Sequence, residues 1–211
     1  MFKRLSQIWL NFRYRRLKPR GKRTQQAFLL KQFRKYDAKN GKGYRVSFDA
    51  GLQKLNTAYN INLPNLINQL SSKSSQFSVL EVGCGAGRGA IELMDACPNI
   101  ELHATGVKRI PQWNDNRINW HVTSAEKISR VFKKKASLKE FDFVHSNLGI
   151  SNSHSFWKAV IDVSKIIKKG GHLLLTFRGS NLKFPSEFSL VSQSETLING
   201  HKFNAYLLKR V

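Results

Sequence analysis

Val79-Leu80-Glu81-Val82-Gly83-Cys84-Gly85-Ala86-Gly87 decides the fold of this 211-residue chain. A short run of strand-forming residues with one acid meets three alternating glycines, and an amphipathic segment opens at Arg88. Residues without a Cβ let the chain turn tightly and let a ligand approach the backbone. The free N–H groups of a helix that starts there favour a carboxylate or phosphate. Such a turn can also serve packing alone, so its meaning depends on what flanks it.

Working outward, apolar runs alternate with helix-like segments. The runs are 77–82, 100–107, 118–122, 141–145 and 172–177, each the length of a buried strand. Between them lie helical patterns at 88–96, 125–135 and 154–168, and a short polar stretch at 111–116. Strand and helix in turn imply a parallel sheet covered on both faces. The tail departs from this, because 188–198 and 202–209 flank Asn199-Gly200, the preferred pair for a two-residue hairpin turn. The expected fold is therefore α/β, a Rossmann-like doubly wound sheet that is mostly parallel and closes one edge with an antiparallel hairpin.

Two further blocks follow the glycine turn along the chain: Glu140-Phe141-Asp142-Phe143-Val144-His145-Ser146, and residues 163–175 around Lys168-Lys169-Gly170-Gly171. Together the three resemble the class I S-adenosylmethionine-dependent methyltransferases, from residue 77 to about 177 and on towards the end of the chain. The resemblance implies S-adenosylmethionine as cofactor, held by Glu81, Gly83, Cys84, Gly85 and Gly87 in the first block. It also implies Val107 after the second strand, Ser124, Ala125 and Glu126 after the third, and Ser146 and Asn147 after the fourth. A nicotinamide-dinucleotide fold is the rival, since Gly85-x-Gly87-x-x-Ala90 fits the looser pattern. That fold wants an acid about twenty residues on, and Thr105-Gly106-Val107-Lys108-Arg109 offers none. The same stretch departs from the methyltransferase pattern, where an acid grips the ribose; Lys108 has donors only. Ser124 likewise stands where an acid is common.

Methyl transfer from a sulfonium works largely by alignment and needs no fixed triad. Asn147, at the mouth of the fourth strand, and His145 and His154 nearby are the catalytic candidates, imidazole being the side chain that titrates near neutral pH. No Asn/Asp-Pro-Pro-Tyr/Phe tetrad follows the fourth strand, where Ser146-Asn147-Leu148-Gly149 stands, and no Pro-Cys or Thr-Cys pair serves attack on a pyrimidine carbon. Cys84 and Cys97 supply neither a disulfide framework nor a four-thiolate metal site, and the six histidines lack ligand spacing, so no metal is expected.

The charge is unusual: 36 Lys and Arg against 13 Asp and Glu give +23, which predicts attraction to polyanions. Residues 1–36 hold twelve of those cations and no acid. Three regions follow: a basic arm at 1–36, a helical lead-in at 37–76, and the methyltransferase-like core at 77–211. Within the arm, Phe2, Leu5, Trp9 and Phe12 form an apolar stripe on a basic helix that ends before Pro19. Such a helix tracks a phosphate backbone, lies on an anionic membrane, or docks on its own core. Arg13, Arg15, Arg16, Arg20, Lys22 and Arg23 are the expected phosphate contacts, with Lys133-Lys134-Lys135 as a further basic run. The leading expectation is methyl transfer to RNA in the cytoplasm. The alternatives are a methyltransferase for a small or lipid-like acceptor at an anionic membrane, an organellar-matrix protein, and a non-catalytic RNA-binding or assembly protein. No apolar run is long enough to span a bilayer, and no uncharged stretch near Met1 reads as a secretory signal.

Overall fold

The strand that leads into the glycines, β1 (Phe77–Val82), is buried along its whole length. It has a parallel neighbour on each side, β2 (Ile100–Gly106) and β6 (Phe141–Ser146). The computed structural model describes residues 51–211, apart from Lys73, Ile110, 135–136, Asn152, His154, 178–181 and 199–200. The basic arm and the first part of the lead-in lie outside those residues.

Beyond β2 lies β3 (Asn119–Val122), and beyond β6 lie β7 (Ile167–Phe177), β9 (His201–Arg210) and β8 (Phe188–Ile198). The order is β3-β2-β1-β6-β7-β9-β8, with only β9 antiparallel to its neighbours. The expected mostly parallel sheet with a terminal antiparallel pair is the fold. The chain leaves β1 towards β2 on one side and returns to β6 on the other, so a topological switch point lies between β1 and β6, directly under the glycine turn.

Alternate residues of each strand enter opposite core layers, as a period of two requires. Val79, Leu102, Phe143 and Leu174 face α1 (Leu52–Tyr59), α2 (Leu63–Ser71) and α3 (Arg88–Ala96) through Leu55, Ile67, Ala90 and Leu93. Leu80, Val144, Leu173 and Leu175 face the opposite layer, which includes Ile128 of α4 (Ile128–Phe132) and Val160 and Val163 of α5 (Phe156–Ser164). Asn62 caps α2 by accepting from Asn65 N at 3.0 Å, and Pro64 sits inside the first turn, where its missing N–H costs nothing. Both lead-in helices belong to the same compact body as the sheet.

Two expected helices are shorter than their patterns. The segment from 125 begins as a 3₁₀ turn (Ala125–Lys127), continues as α4 and stops at Phe132. Lys133–Lys134 of β4 then pairs with Ser137–Leu138 of β5 instead of extending a helix. The reason is tertiary: Phe132 is fixed among His103, His121 and Phe141, while Lys139, paired with Glu101, draws the chain back. α5 ends at Ser164 rather than near 168, because Ile166 and Ile167 are buried and Lys168-Lys169-Gly170-Gly171 forms a bulge between β6 and β7. Gly170 there has φ 81°.

That bulge brings Lys168 Nζ to within 2.8 Å of Asp142, which also accepts from Ser78 N and Ser78 Oγ at 2.8 Å each. Burial pushes the Asp142 carboxyl up, but the Lys168 ammonium and the two Ser78 donors outweigh it and hold it below its ordinary value. A depressed carboxyl stabilises the fold above its unfolded pKa and loses that contribution as pH falls through the folded one. Asp142→Asn should therefore flatten the acid limb of a denaturation profile below about pH 4 and cost roughly 1–3 kcal/mol at neutral pH. Chemical denaturation between acid and neutral pH measures both.

Candidate active site

The turn after β1 is built from backbone. Gly83, Gly85 and Gly87 have φ of 82°, 56° and 85°, the region where a side chain is strained. Gly83 N and Cys84 N both donate to Thr105 O, at 3.0 and 2.9 Å, which ties the turn to β2. A Cβ on Gly83 would stand 2.7 Å from Gly149 Cα, and one on Gly149 would strike Val82 O. The ends of β1 and β6 thus touch backbone to backbone. α3 starts with Gly87 at its N-cap and no side chain closing its free N–H groups.

A tryptophan pair braces the turn from the other side. Trp113 Nε1 donates to Gly85 O at 3.1 Å, and its ring stacks on Trp120 with centroids 5.2 Å apart. The two indoles press on Gly87 and Gly106 so closely that a Cβ at either would fall within 2.8 Å of a ring. The sequence reads 111–116 as a polar stretch; the one signal of this brace is a tryptophan inside it.

Glu81 is buried with Oε2 unpartnered, and burial lifts its carboxyl to about 8. Its register partner on β6 is His145, fully buried, with Nε2 also unpartnered and Nδ1 in a 3.2 Å hydrogen bond with Tyr59 Oη. Burial lowers His145 to about 3, so it is neutral at physiological pH. Tyr59 comes from α1, a helix that sequence reading leaves in the lead-in, because a contact across 86 residues has no local signature.

The remaining predicted residues divide by what they touch. Ser146 Oγ is spent on the backbone, donating to Val82 O and accepting from Ile150 N. Asn147 Oδ1 accepts from Thr176 Oγ1 at 3.0 Å at the carboxyl edge of the sheet. Ser124 Oγ is buried and unpartnered beside the buried Ala125. Glu126 Oε1 accepts from Ser155 N, fastening the start of α5. Val107 is 48% exposed, with Lys108 and Arg109 exposed after it. Glu101 is committed to His103 and Lys139. Cys84 is buried with its thiol pushed up by burial and by Glu81. His154 and the arginines and lysines of the arm lie outside the described residues. Among the described residues no group of three or more His, Cys, Asp or Glu is placed to hold a metal.

Residues 80–175 match the family model described as a methyltransferase domain. That stretch, a little under half of the chain, is similar to methyltransferase domains. Solved structures share its fold at low identity. TrmN from Thermus thermophilus aligns with TM-score 0.54 at 16% identity, over 71% of this chain and 48% of that one. The N-methyltransferase NodS from Bradyrhizobium japonicum WM9, in complex with S-adenosyl-l-homocysteine, gives 0.55 at 13% over 85% and 97%. The 1,6-didemethyltoxoflavin-N1-methyltransferase of Burkholderia thailandensis gives 0.53 at 11% over 79% and 87%. This chain thus spans about half of TrmN and nearly all of NodS. No curated protein sequence matches it.

The methyltransferase domain uses S-adenosylmethionine, which supplies a methyl group on a positively charged sulfur. This site fits that cofactor: Glu81 Oε2 and Ser124 Oγ are buried polar atoms with no hydrogen-bond partner among the described residues, and the three glycines leave the turn's backbone open to close approach. The ribose-gripping acid is absent, since Val107, Lys108 and Arg109 occupy its stretch.

Because the folded pKa of Glu81 lies above the ordinary 4.5, stability is full below about pH 4.5 and is lost as pH rises towards 8. Glu81→Gln should therefore stabilise the cofactor-free protein at pH 8, by an amount on the order of a few kcal/mol, and weaken S-adenosylhomocysteine binding. Thermal melts with and without that ligand read both effects. Trp113→Ala removes the stack and the bond to Gly85, and should cost roughly 3–5 kcal/mol together with most cofactor affinity. Unchanged calorimetric affinity would show that the turn holds its shape without the indole.

Proposed function

We propose that this protein transfers the methyl group of S-adenosylmethionine to RNA. The observation that carries the reading is the charge. The first 50 residues contain 15 Lys and Arg and 2 acids, and residues 51–211 contain 21 and 11. An enzyme for a small neutral acceptor gains nothing from such an excess, whereas a polyanionic acceptor is drawn in and retained by it.

The mouth of the domain supports the same reading. Lys108 and Arg109 follow the end of β2 at Gly106, both exposed, and would offer positive charge to a phosphate entering with the acceptor. Arg13, Arg15, Arg16, Arg20, Lys22 and Arg23 add contacts of the sequence-independent kind, which fix a backbone rather than read a base. Asn147 stands at the carboxyl end of β6, where it can orient the acceptor. Proton acceptance by His145 requires an opening of the α1 cover, since the imidazole is fully enclosed.

Radiolabelled methyl transfer onto total RNA, protein and lipid fractions tests the proposal, with label expected in RNA. Binding to RNA should weaken with salt along a logarithmic slope of about −0.7 for each phosphate contacted on a single strand. A full-length variant with Arg13, Arg15, Arg16 and Arg20 changed to Gln should show a visibly shallower slope. Label confined to lipid or small molecules, or binding indifferent to salt, overturns the RNA reading.

A further inference from the structure

An aromatic group that the cofactor site does not use stands at the same edge of the sheet. α5 begins at Phe156, directly after the loop that leaves the carboxyl end of β6. Phe156 packs on Trp157 with ring centroids 4.8 Å apart and on Phe177, the last residue of β7, at 4.9 Å. Phe184 continues the group, 6.3 Å from Trp157 and 5.1 Å from Tyr206. Tyr206 is buried, and Phe156, Phe177 and Phe184 pack against the same core layer, so the group is anchored from below. Trp157 is different: 42% of it is exposed.

Its surroundings are cationic and apolar. Lys158 follows it on the helix and Lys183 precedes Phe184, both exposed, while Ile161, one turn on, is 47% exposed. The acid of this helix, Asp162, is turned inward to Ser129 N and Oγ; Glu187 is the nearest exposed acid along the 182–187 segment. Both aromatic neighbours of Trp157 meet it close to perpendicular, at 69° and 75°, so neither lies flat against the indole. A second copy of this chain is a poor occupant, because two surfaces of the same sign would meet.

We propose that Trp157 is a stacking platform for an unpaired nucleobase of the RNA acceptor, with Lys158 and Lys183 holding the adjoining phosphates. This deepens the RNA reading and rests on it. A partly exposed indole, with Lys158 next to it in sequence and Lys183 next to its neighbour Phe184, is what a single-stranded base seeks: stacking on one face and backbone neutralisation at the rim. A duplex, whose bases are already stacked, has no use for it. The position suits delivery, since the platform lies over the β6 and β7 side of the switch point and the glycine turn over the β1 side.

The full chain and two variants, Trp157→Ala and Trp157→Phe, are titrated with a short unstructured oligoribonucleotide and with an RNA duplex at several salt concentrations. Trp157→Ala should bind the single strand about 5- to 100-fold more weakly, keep the wild-type salt slope and leave duplex affinity unchanged. Trp157→Phe should recover most of the loss. Circular dichroism checks the fold of each variant, which a partly exposed side chain leaves intact. Equal single-strand affinity in wild type and Trp157→Ala overturns the platform and leaves the RNA reading standing, as does an equal loss on duplex and single strand. A wild-type protein that binds neither RNA overturns both.

Discussion

Everything in this site depends on one close approach, that of Gly83 to Gly149. A side chain on Gly149 would strike Val82 O and stand 2.9 Å from Gly83 Cα, so the loops after β1 and β6 meet without intervening atoms. Ser146 secures the same junction, bridging Val82 O and Ile150 N through one hydroxyl. Leu148, between them, is held at φ 65°, with its N–H donating to Thr176 Oγ1 at 2.9 Å. A non-glycine residue stays in that region only when its surroundings enforce it. The glycine turn is therefore rigid before any cofactor arrives, and little ordering remains to oppose binding.

That rigidity is combined with an electrostatic cost. Glu81, His145 and Ser124 bury polar atoms that find no hydrogen-bond partner among the described residues, and each such atom weakens the fold by its lost hydration. The structure tolerates them because both faces of β1 are packed: Val79 and Leu80 are fully enclosed on opposite sides of the same strand. Unsatisfied groups at a conformationally fixed site are a binding surface in waiting, and their burial makes a complementary charge worth more than it would be in water.

The sheet is legible in the sequence because its signals are local. The five apolar runs of strand length, the Gly83-x-Gly85-x-Gly87 turn and the hairpin about Asn199-Gly200 all show locally, and the strand starts fall within a residue of expectation save at β7. β7 begins at Ile167, five residues before the expected 172, because the double glycine makes a bulge that continues the ladder rather than a break. Helix 125–135 is cut short by Phe132 and the Lys139–Glu101 pair, contacts that no periodicity encodes. Tyr59 above His145 and Trp113 against Gly85 O are likewise contacts between distant segments. The glycines could be named from sequence; what presses on them could not.

The missing ribose acid takes on a different sense beside the charge of the chain. With RNA as the proposed acceptor, an acid after β2 would set a negative group where its phosphates approach, and each approach would meet repulsion in a partly desolvated space. Lys108 and Arg109 invert that sign. In the proposed site, cofactor affinity would then rest on the turn's backbone, on Glu81 and on Ser124, whose Oε2 and Oγ are buried rather than exposed to solvent. Substituting an acid at Lys108 alone would join it to Arg109 and leave the mouth neutral, so retention of a polyanion would fall even where grip on the ribose improved. Under the proposed function the two departures from the family pattern agree with each other: a site without an exposed anion would hold its cofactor through buried atoms and present a cationic entrance.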